Sequence, residues 1–397
     1  MTRAGGSGGP PARRRVRGTV PAGPAAPTGR TAPVGGARTA GRGVALRGTV
    51  WPGGAATTYD GWVIVAADGT VAAMGPAGHV AVPADLRVVG GPGQWIGPGV
   101  VDAHVHLAFG DPATLLSAGV IAVRDLGAPP EQARAWRTRA RPPAGWPTVA
   151  VTGPLLTAPH GYPSQSWGAA GFTVGVPSPD AAAALVRQIA ARGVDLIKIA
   201  LEPAGGAPVP DRATVRAVVR AAHEAGLPVT AHALTAEMVA RALDAGVDEL
   251  CHTPVERLGE DTVERIAEAG IHVVSTLQTF FSGGQGTDAA RNAAAFVRAG
   301  VRLVYGTDLG NAGTRPGVDP RELDRLAAAG LGRLGALRAA THVGARAHGV
   351  RGRTGRIATG ELAALVLLTG DPVVEPWAWR APVAVVADGR MLLPPPS

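Results

Sequence analysis

His104 and His106 stand two residues apart in Val100-Val101-Asp102-Ala103-His104-Val105-His106-Leu107, an apolar run that reads as a strand. Residues two apart on a strand point to one face, so both imidazoles can reach a single point. On a helix the pair would diverge by about 200° and could not chelate. Four more groups repeat the placement: Lys198 in Asp195-Leu196-Ile197-Lys198-Ile199-Ala200-Leu201, His232 in Thr230-Ala231-His232-Ala233, His252 in Cys251-His252-Thr253, and Asp308 in Gly306-Thr307-Asp308-Leu309-Gly310. A lone histidine in an apolar run is more often a hydrogen-bonded core residue. Four histidines, an aspartate and a lysine, each expected toward the carboxyl-terminal part of its own run, point instead to a metal site. Histidines with carboxylates and no thiolate suit Zn²⁺ or another borderline divalent ion, with an open position for water.

Lys198 is the only lysine in the chain, arginine filling every other basic position. A guanidinium stays charged, whereas a desolvated amine can lose its proton and become a nucleophile or a ligand precursor. A GC-rich gene could leave one lysine by accident; the histidines around it favour chemistry.

The elements that would position these groups alternate along the centre of the chain. Strand candidates are 100–107, 120–126, 148–155, 195–201, 228–234, 249–253, 271–277 and 302–309. Helical stretches between them include 180–192, 211–225, 236–245, 261–269, 288–299 and 321–329, several closing on a glycine such as Gly226, Gly246, Gly270 or Gly300. Eight such units predict an α/β fold, a (β/α)8 TIM-like barrel over residues 97–355. A doubly wound open sheet is the competing architecture, but it would leave the first and eighth strands far apart. Short β-like runs at 44–50, 61–67, 71–74 and 87–89 return in texture at 364–368 and 383–386. The flanks 44–96 and 356–397 therefore predict one small β-sandwich domain with the barrel inserted between its halves.

The formal charge of +8 suggests nucleic acid until it is located. Residues 1–43 carry eight arginines and no acid, which leaves 30 basic against 30 acidic groups in the rest. That Gly-, Pro- and Arg-rich segment lacks the apolar side chains needed to offset ordering entropy and is expected to be a disordered basic tail. Arg13-Arg14-Arg15 is not followed by an apolar stretch, so a twin-arginine leader is not expected. One cysteine, Cys251, fits a reducing compartment, and no segment offers the roughly 20 apolar residues of a membrane span. The expectation is a cytoplasmic protein acting on a small molecule, without specific nucleic-acid or membrane partners; a homo-oligomer remains compatible with the chain.

The ordered combination Gly97-Pro98-Gly99-Val100-Val101-Asp102-Ala103-His104-Val105-His106, Asp195-Leu196-Ile197-Lys198, His232, His252 and Gly306-Thr307-Asp308 resembles the metal-dependent amidohydrolase superfamily. Its nearest branch is the imidazolonepropionase-like and prolidase-like one, and the likeness runs over about residues 44–390. Gly355-Arg356-Ile357-Ala358-Thr359-Gly360 and Leu367-Leu368-Thr369-Gly370-Asp371-Pro372 fit it too. Ala363-Ala364-Leu365-Val366 departs from it where relatives have an aspartate, far from the metals. The resemblance implies two divalent ions, with zinc the leading choice. His104, His106 and Asp308 would bind one and His232 and His252 the other, while Lys198, as its CO2-derived carbamate, would bridge them. Asp308 would also shuttle protons. The implied activity is hydrolysis of the C–N bond of a cyclic amide, an N-acyl amino acid or a dipeptide by metal-activated water. The alternatives are a mononuclear deaminase or an ester hydrolase on the same barrel, or a scaffold that has lost catalysis. Arg124-Asp125 matches the branch and reads as a structural barrel contact. Loops 108–112, 157–175, 202–210, 278–287 and 310–318 would shape the pocket, and they offer His160, Tyr162, Gln278 and Arg315 as substrate contacts.

Overall fold

The computed structural model describes residues 43–139, 145–349, 354–388 and 390–392; the expected tail, apart from Gly43, lies outside them. The chain opens with β1 (Val44–Val50), β2 (Tyr59–Val65), β3 (Val71–Pro76) and β4 (Arg87–Pro98). The barrel strands follow: β5 (Val100–Val105), β6 (Val120–Asp125), β7 (Thr148–Val151), β8 (Leu155–Thr157), the short β9 (Thr173–Gly175), β10 (Ile197–Leu201), β11 (Val229–Ala233), β12 (Glu249–Leu250), β13 (His272–Val274) and β14 (Leu303–Val304). The chain then returns through β15 (Leu365–Leu368), β16 (Ala384–Ala387) and β17 (Arg390–Leu392) to join the first four strands in one seven-stranded sheet, in the order β17-β16-β15-β4-β1-β2-β3.

Alternation along the returning strands explains how that sheet is used. Leu365, Leu367, Ala384 and Val386 enter a cluster with Val44, Leu46, Val63, Val65 and Ile96, so inward residues from both ends of the chain share one small core. Their neighbours Val366, Leu368, Val385 and Ala387 point the other way, into the barrel's core. Trp51, Trp95 and Trp379 seal that junction, with ring centroids 5.8 and 6.2 Å apart.

The barrel strands pair in parallel from β5 to β7 and from β8 to β14. β7 and β8 are one strand position interrupted at Thr152-Gly153-Pro154, and Asp195 bridges the gap by donating its N–H to the Val151 carbonyl at 2.9 Å. The ring closes where the segment after β14 meets β5. Ala103 donates to the Tyr305 carbonyl at 3.0 Å, Asp308 to that of His104 at 2.8 Å, and His106 to that of Leu309 at 2.8 Å. Helices α1 (Pro112–Ser117) and α2 (Pro130–Arg139) follow β5 and β6, and α3 (Pro179–Ala191), α4 (Arg212–Glu224), α5 (Ala236–Ala245) and α6 (Glu260–Glu268) follow the next units. After β13 come α7 (Leu277–Ser282) and α8 (Gly286–Arg298), and after β14 comes α9 (Pro320–Leu326). Ser178, Asp211 and Thr235 cap α3, α4 and α5 through side-chain oxygens that accept backbone N–H groups. Gly226, Gly246, Gly270 and Gly300 each take the left-handed conformation expected of them at a helix end.

Inside the barrel, Arg124 on β6 reaches across to Glu249 on β12 in a buried ion pair, and its Nε donates to the Ala103 carbonyl at 2.9 Å. Thr230 donates a further bond to Glu249 at 2.7 Å. Beside it Asp125 accepts the N–H groups of Leu107 and Gly127, which fixes the loop leaving β5. Arg124-Asp125 is thus a structural contact. Removing one partner of a buried pair strands the other charge. Arg124→Met should therefore lower unfolding stability by about 3–5 kcal/mol in urea titrations, and adding Glu249→Leu should recover much of the loss.

Candidate metal centre

The carboxyl-terminal end of the barrel brings together all six residues singled out for metal binding. Asp102 sets the frame: its carboxylate accepts the N–H of His104 at 3.1 Å, the N–H of Thr307 at 3.0 Å and the hydroxyl of Thr307 at 2.6 Å. That clamp holds Asp308 against β5. Asp308 Oδ1 lies 3.2 Å from His104 Nε2 and 3.5 Å from His106 Nε2, and the two Nε2 atoms are 3.4 Å apart. Asp308 Oδ2 is 3.9 Å from His252 Nδ1. The His104 and His252 rings are 4.5 Å apart, and those of His232 and His252 4.8 Å. Lys198 Nζ comes within 3.2 Å of His104 Nε2.

One placement differs from expectation. Lys198 is the second residue of β10, opposite Thr230, two residues deeper in the barrel than His232. It is not at the carboxyl-terminal end of its strand. Its four-carbon stem spans the difference and brings Nζ to His104.

The hydrogen bonds fix where the lone pairs point. His104 Nδ1 is 2.8 Å from the Cys251 carbonyl, an acceptor only, so Nδ1 carries the proton and Nε2 turns a lone pair toward Asp308 and His106. His232 Nε2 is 3.1 Å from Glu202 Oε2, which leaves Nδ1 as its lone-pair atom. His252 Nδ1 sits 3.0 Å from the Thr276 hydroxyl. Burial, reinforced by neighbouring positive groups, holds His104, His106 and His252 well below the usual imidazole range. Burial also pushes the Asp308 carboxyl up to about 6, against the pull of Lys198. Asp308 Oδ1 is buried without a hydrogen-bond partner. Neutral imidazole lone pairs and an unpartnered carboxylate oxygen that face one another repel unless a cation lies among them, so the residues present fit a divalent ion.

Glu202 is not among the expected site residues, since it falls at the start of the 202–210 loop. The signal was there: Lys198, Ala200 and Glu202 alternate onto one face of the strand. Burial opposes its ionisation, but hydrogen bonds from His232 and the Ala204 N–H outweigh that and hold its carboxyl below the usual range. Of the residues suggested for substrate, Tyr162 lies at the cluster, its ring 5.3 Å from that of His232. His160 is exposed with Nδ1 3.4 Å from Gln165 Nε2. Gln278 is taken up by Ser282 and Arg325. Arg315 is exposed on its loop.

A closed eight-strand ring with imidazoles and carboxylates gathered at its carboxyl-terminal face is the architecture of a barrel enzyme. The sequence profile of the amidohydrolase family matches residues 95–392, and the chain belongs to that family. A Bifidobacterium longum protein provisionally described as a prolidase superposes with a TM-score of 0.77 at 26% identity, covering 90% of this chain and 96% of that one. A Xaa-Pro dipeptidase with bound methionine shares the fold with a TM-score of 0.76 at 19% identity, covering 88% of this chain and 100% of that one. In sequence, the chain is 29% identical over 203 residues to an uncharacterized protein of Mycobacterium tuberculosis, with 47% of this chain and 51% of that protein aligned. It thus spans about half the length of the curated relatives it matches. No helix among the described residues is long and apolar enough to cross a membrane.

Cys251 gives its carbonyl to His104, while burial pushes its thiol up to about 12. Thiol reagents act on the thiolate. At pH 8 the folded chain should take up no thiol reagent, and denaturant should release reaction at this single cysteine, followed by absorbance or intact mass.

Proposed function

We propose that the chain is a binuclear metal-dependent amide hydrolase, in which His104, His106, Asp308, His232, His252 and carbamylated Lys198 hold two divalent ions, zinc the leading choice. The observation that carries the reading is the environment of Lys198. Its side chain is buried, ringed by imidazoles, and among the described residues its one hydrogen-bonding neighbour is His104 Nε2. A buried ammonium with no carboxylate within hydrogen-bond reach is costly. Carbamylation removes that cost: the neutral amine's lone pair forms the N–C bond to CO2, one N–H proton leaves to solvent, and an anion remains that arginine could not supply.

When bound, the ions activate water and polarise the scissile carbonyl. The side chains do the rest. Asp308 takes the proton of the attacking water on a carboxylate oxygen and returns it to the departing nitrogen, so one group serves as base and then as acid. Asp102, through Thr307, keeps that carboxylate aimed at His104 and His106. Glu202 holds the His232 ring by Nε2 and leaves Nδ1 as its lone-pair atom, and the Cys251 carbonyl holds His104 by Nδ1 and leaves Nε2 free. The substrate class supported by the family and by the prolidase-like fold is a small amide: a cyclic amide, an N-acyl amino acid or a dipeptide.

Elemental analysis of protein purified without chelator should find about two equivalents of metal per chain, falling to one or fewer in Lys198→Ala. Chelation should abolish amide hydrolysis, and zinc with bicarbonate should restore it. About one equivalent, untouched by the mutation, would remove Lys198 from the site. Glu202→Ala should weaken the ion held by His232 and His252 by roughly 10–100-fold in competition with a chromogenic chelator, with Glu202→Gln falling between it and the parent.

A further inference from the structure

The chain is poor in rings, with 8 Trp, 5 Phe and 3 Tyr, yet four of them meet at one edge of the metal centre. The Trp167 ring stands edge-on to the His106 ring at 4.7 Å, and the Tyr162 ring lies 5.3 Å from that of His232. Phe109 packs against Trp167 at 6.1 Å and stacks on Phe172 at 5.8 Å. Phe109 comes from the turn after β5, and the other three come from the single loop between β8 and β9. Together they form an arc that runs from His106 to His232. All four are half-buried, and none belongs to a hydrophobic core cluster among the described residues. The fold does not need them for its core.

The arc is also preorganised. Trp167 Nε1 donates to the Tyr162 hydroxyl at 3.4 Å. A Cβ on Gly161 would lie 2.7 Å from the Pro208 carbonyl and one on Gly168 2.8 Å from that of Pro163, so the loop is packed tightly around its rings. Rigid rings beside a few converging polar groups are how small-molecule pockets orient an apolar ligand group at low entropic cost.

We propose that this arc is a subsite for an aromatic substituent of the substrate, held against Trp167 beside the scissile amide. The inference rests on the amide-hydrolase reading and narrows its substrate class to amides with an aryl group next to the bond that breaks. Two matched pairs test it with the metal-loaded full chain: acetyl against phenylacetyl on one leaving amine, and methylamine against aniline leaving from one acyl group. In at least one pair the aryl member should have a kcat/KM roughly tenfold or more above its partner. Trp167→Ala should erase that gap through the aryl member's KM, and Trp167→Phe should keep most of it. Hydrolysis of both pairs without an aryl preference, or equal loss for aryl and methyl members in Trp167→Ala, overturns the subsite. Calorimetric binding of 2-acetonaphthone, a neutral aryl ketone with no C–N bond to cleave, separates the two readings. Trp167-dependent binding without turnover of any amide refutes the hydrolase and keeps the subsite, whereas neither turnover nor Trp167-dependent binding refutes both.

Discussion

Four buried imidazoles and a buried carboxylate gathered at one end of the barrel are an arrangement that fits a cation among them. Four of the five have a second partner that fixes their direction: the Cys251 carbonyl for His104, Glu202 for His232, Thr276 for His252 and, through Thr307, Asp102 for Asp308. Those partners come from separate strands, so the lone pairs can converge only when the barrel has closed. Closure and site formation are one event at the seam, where the backbone N–H of Asp308 reaches the carbonyl of His104. A chain that failed to close there would lose the carboxylate and the histidine pair together.

Much of this was legible in the sequence because strand alternation and barrel topology are strict. The spacing of His104 and His106 leaves one geometry that brings both imidazoles to a point, and a barrel is the architecture that carries the ends of eight strands to one face. The flanking strands were legible for the same reason: Leu365 to Leu368 alternate between two cores, as a sheet with both faces covered requires. The same rule reaches Glu202, whose place on the Lys198 face is written in the chain. It was overlooked because Pro203 and the glycines beyond it read as a loop. The depth of Lys198 was not legible, since alternation gives the face of a side chain and not its height along the barrel. Arg124 and Asp125 showed as a pair, but the partner across the barrel, Glu249, depends on strand order and could be named only after closure was known.

The aromatic arc marks the limit of such reading. Tyr162, Trp167 and Phe172 lie in a loop rich in Gly, Pro and Ser whose path follows from close contacts, not from periodicity. A ring in such a segment has no face assigned by local structure. Tyr162 was singled out only because its loop follows a barrel strand. Trp167, whose ring comes nearer to an imidazole than Tyr162 does, left no pattern to find.

Backbone strain is concentrated at the same end of the barrel. Thr276 and Asp308 both have positive φ, 44° and 55°, and neither is glycine. For a β-branched residue this conformation is costly and persists only where the surroundings over-determine it. Here they do. Glu322, buried on α9, accepts the N–H groups of Leu277 and Gln278 at 3.1 and 2.6 Å, immediately after Thr276. Asp308 is held from the other side by the Thr307 clamp and by Asn311, whose amide donates to its carbonyl at 3.1 Å. Each strained residue aims a polar group at the cluster, the Thr276 hydroxyl at His252 and the Asp308 carboxylate at His104 and His106. An unstrained strand end would send those side chains along the strand's alternation, one face or the other. The left-handed turn breaks that alternation where β13 and β14 end, so the barrel uses strand geometry to bring the histidines in and departs from it to place the groups that orient and complete them.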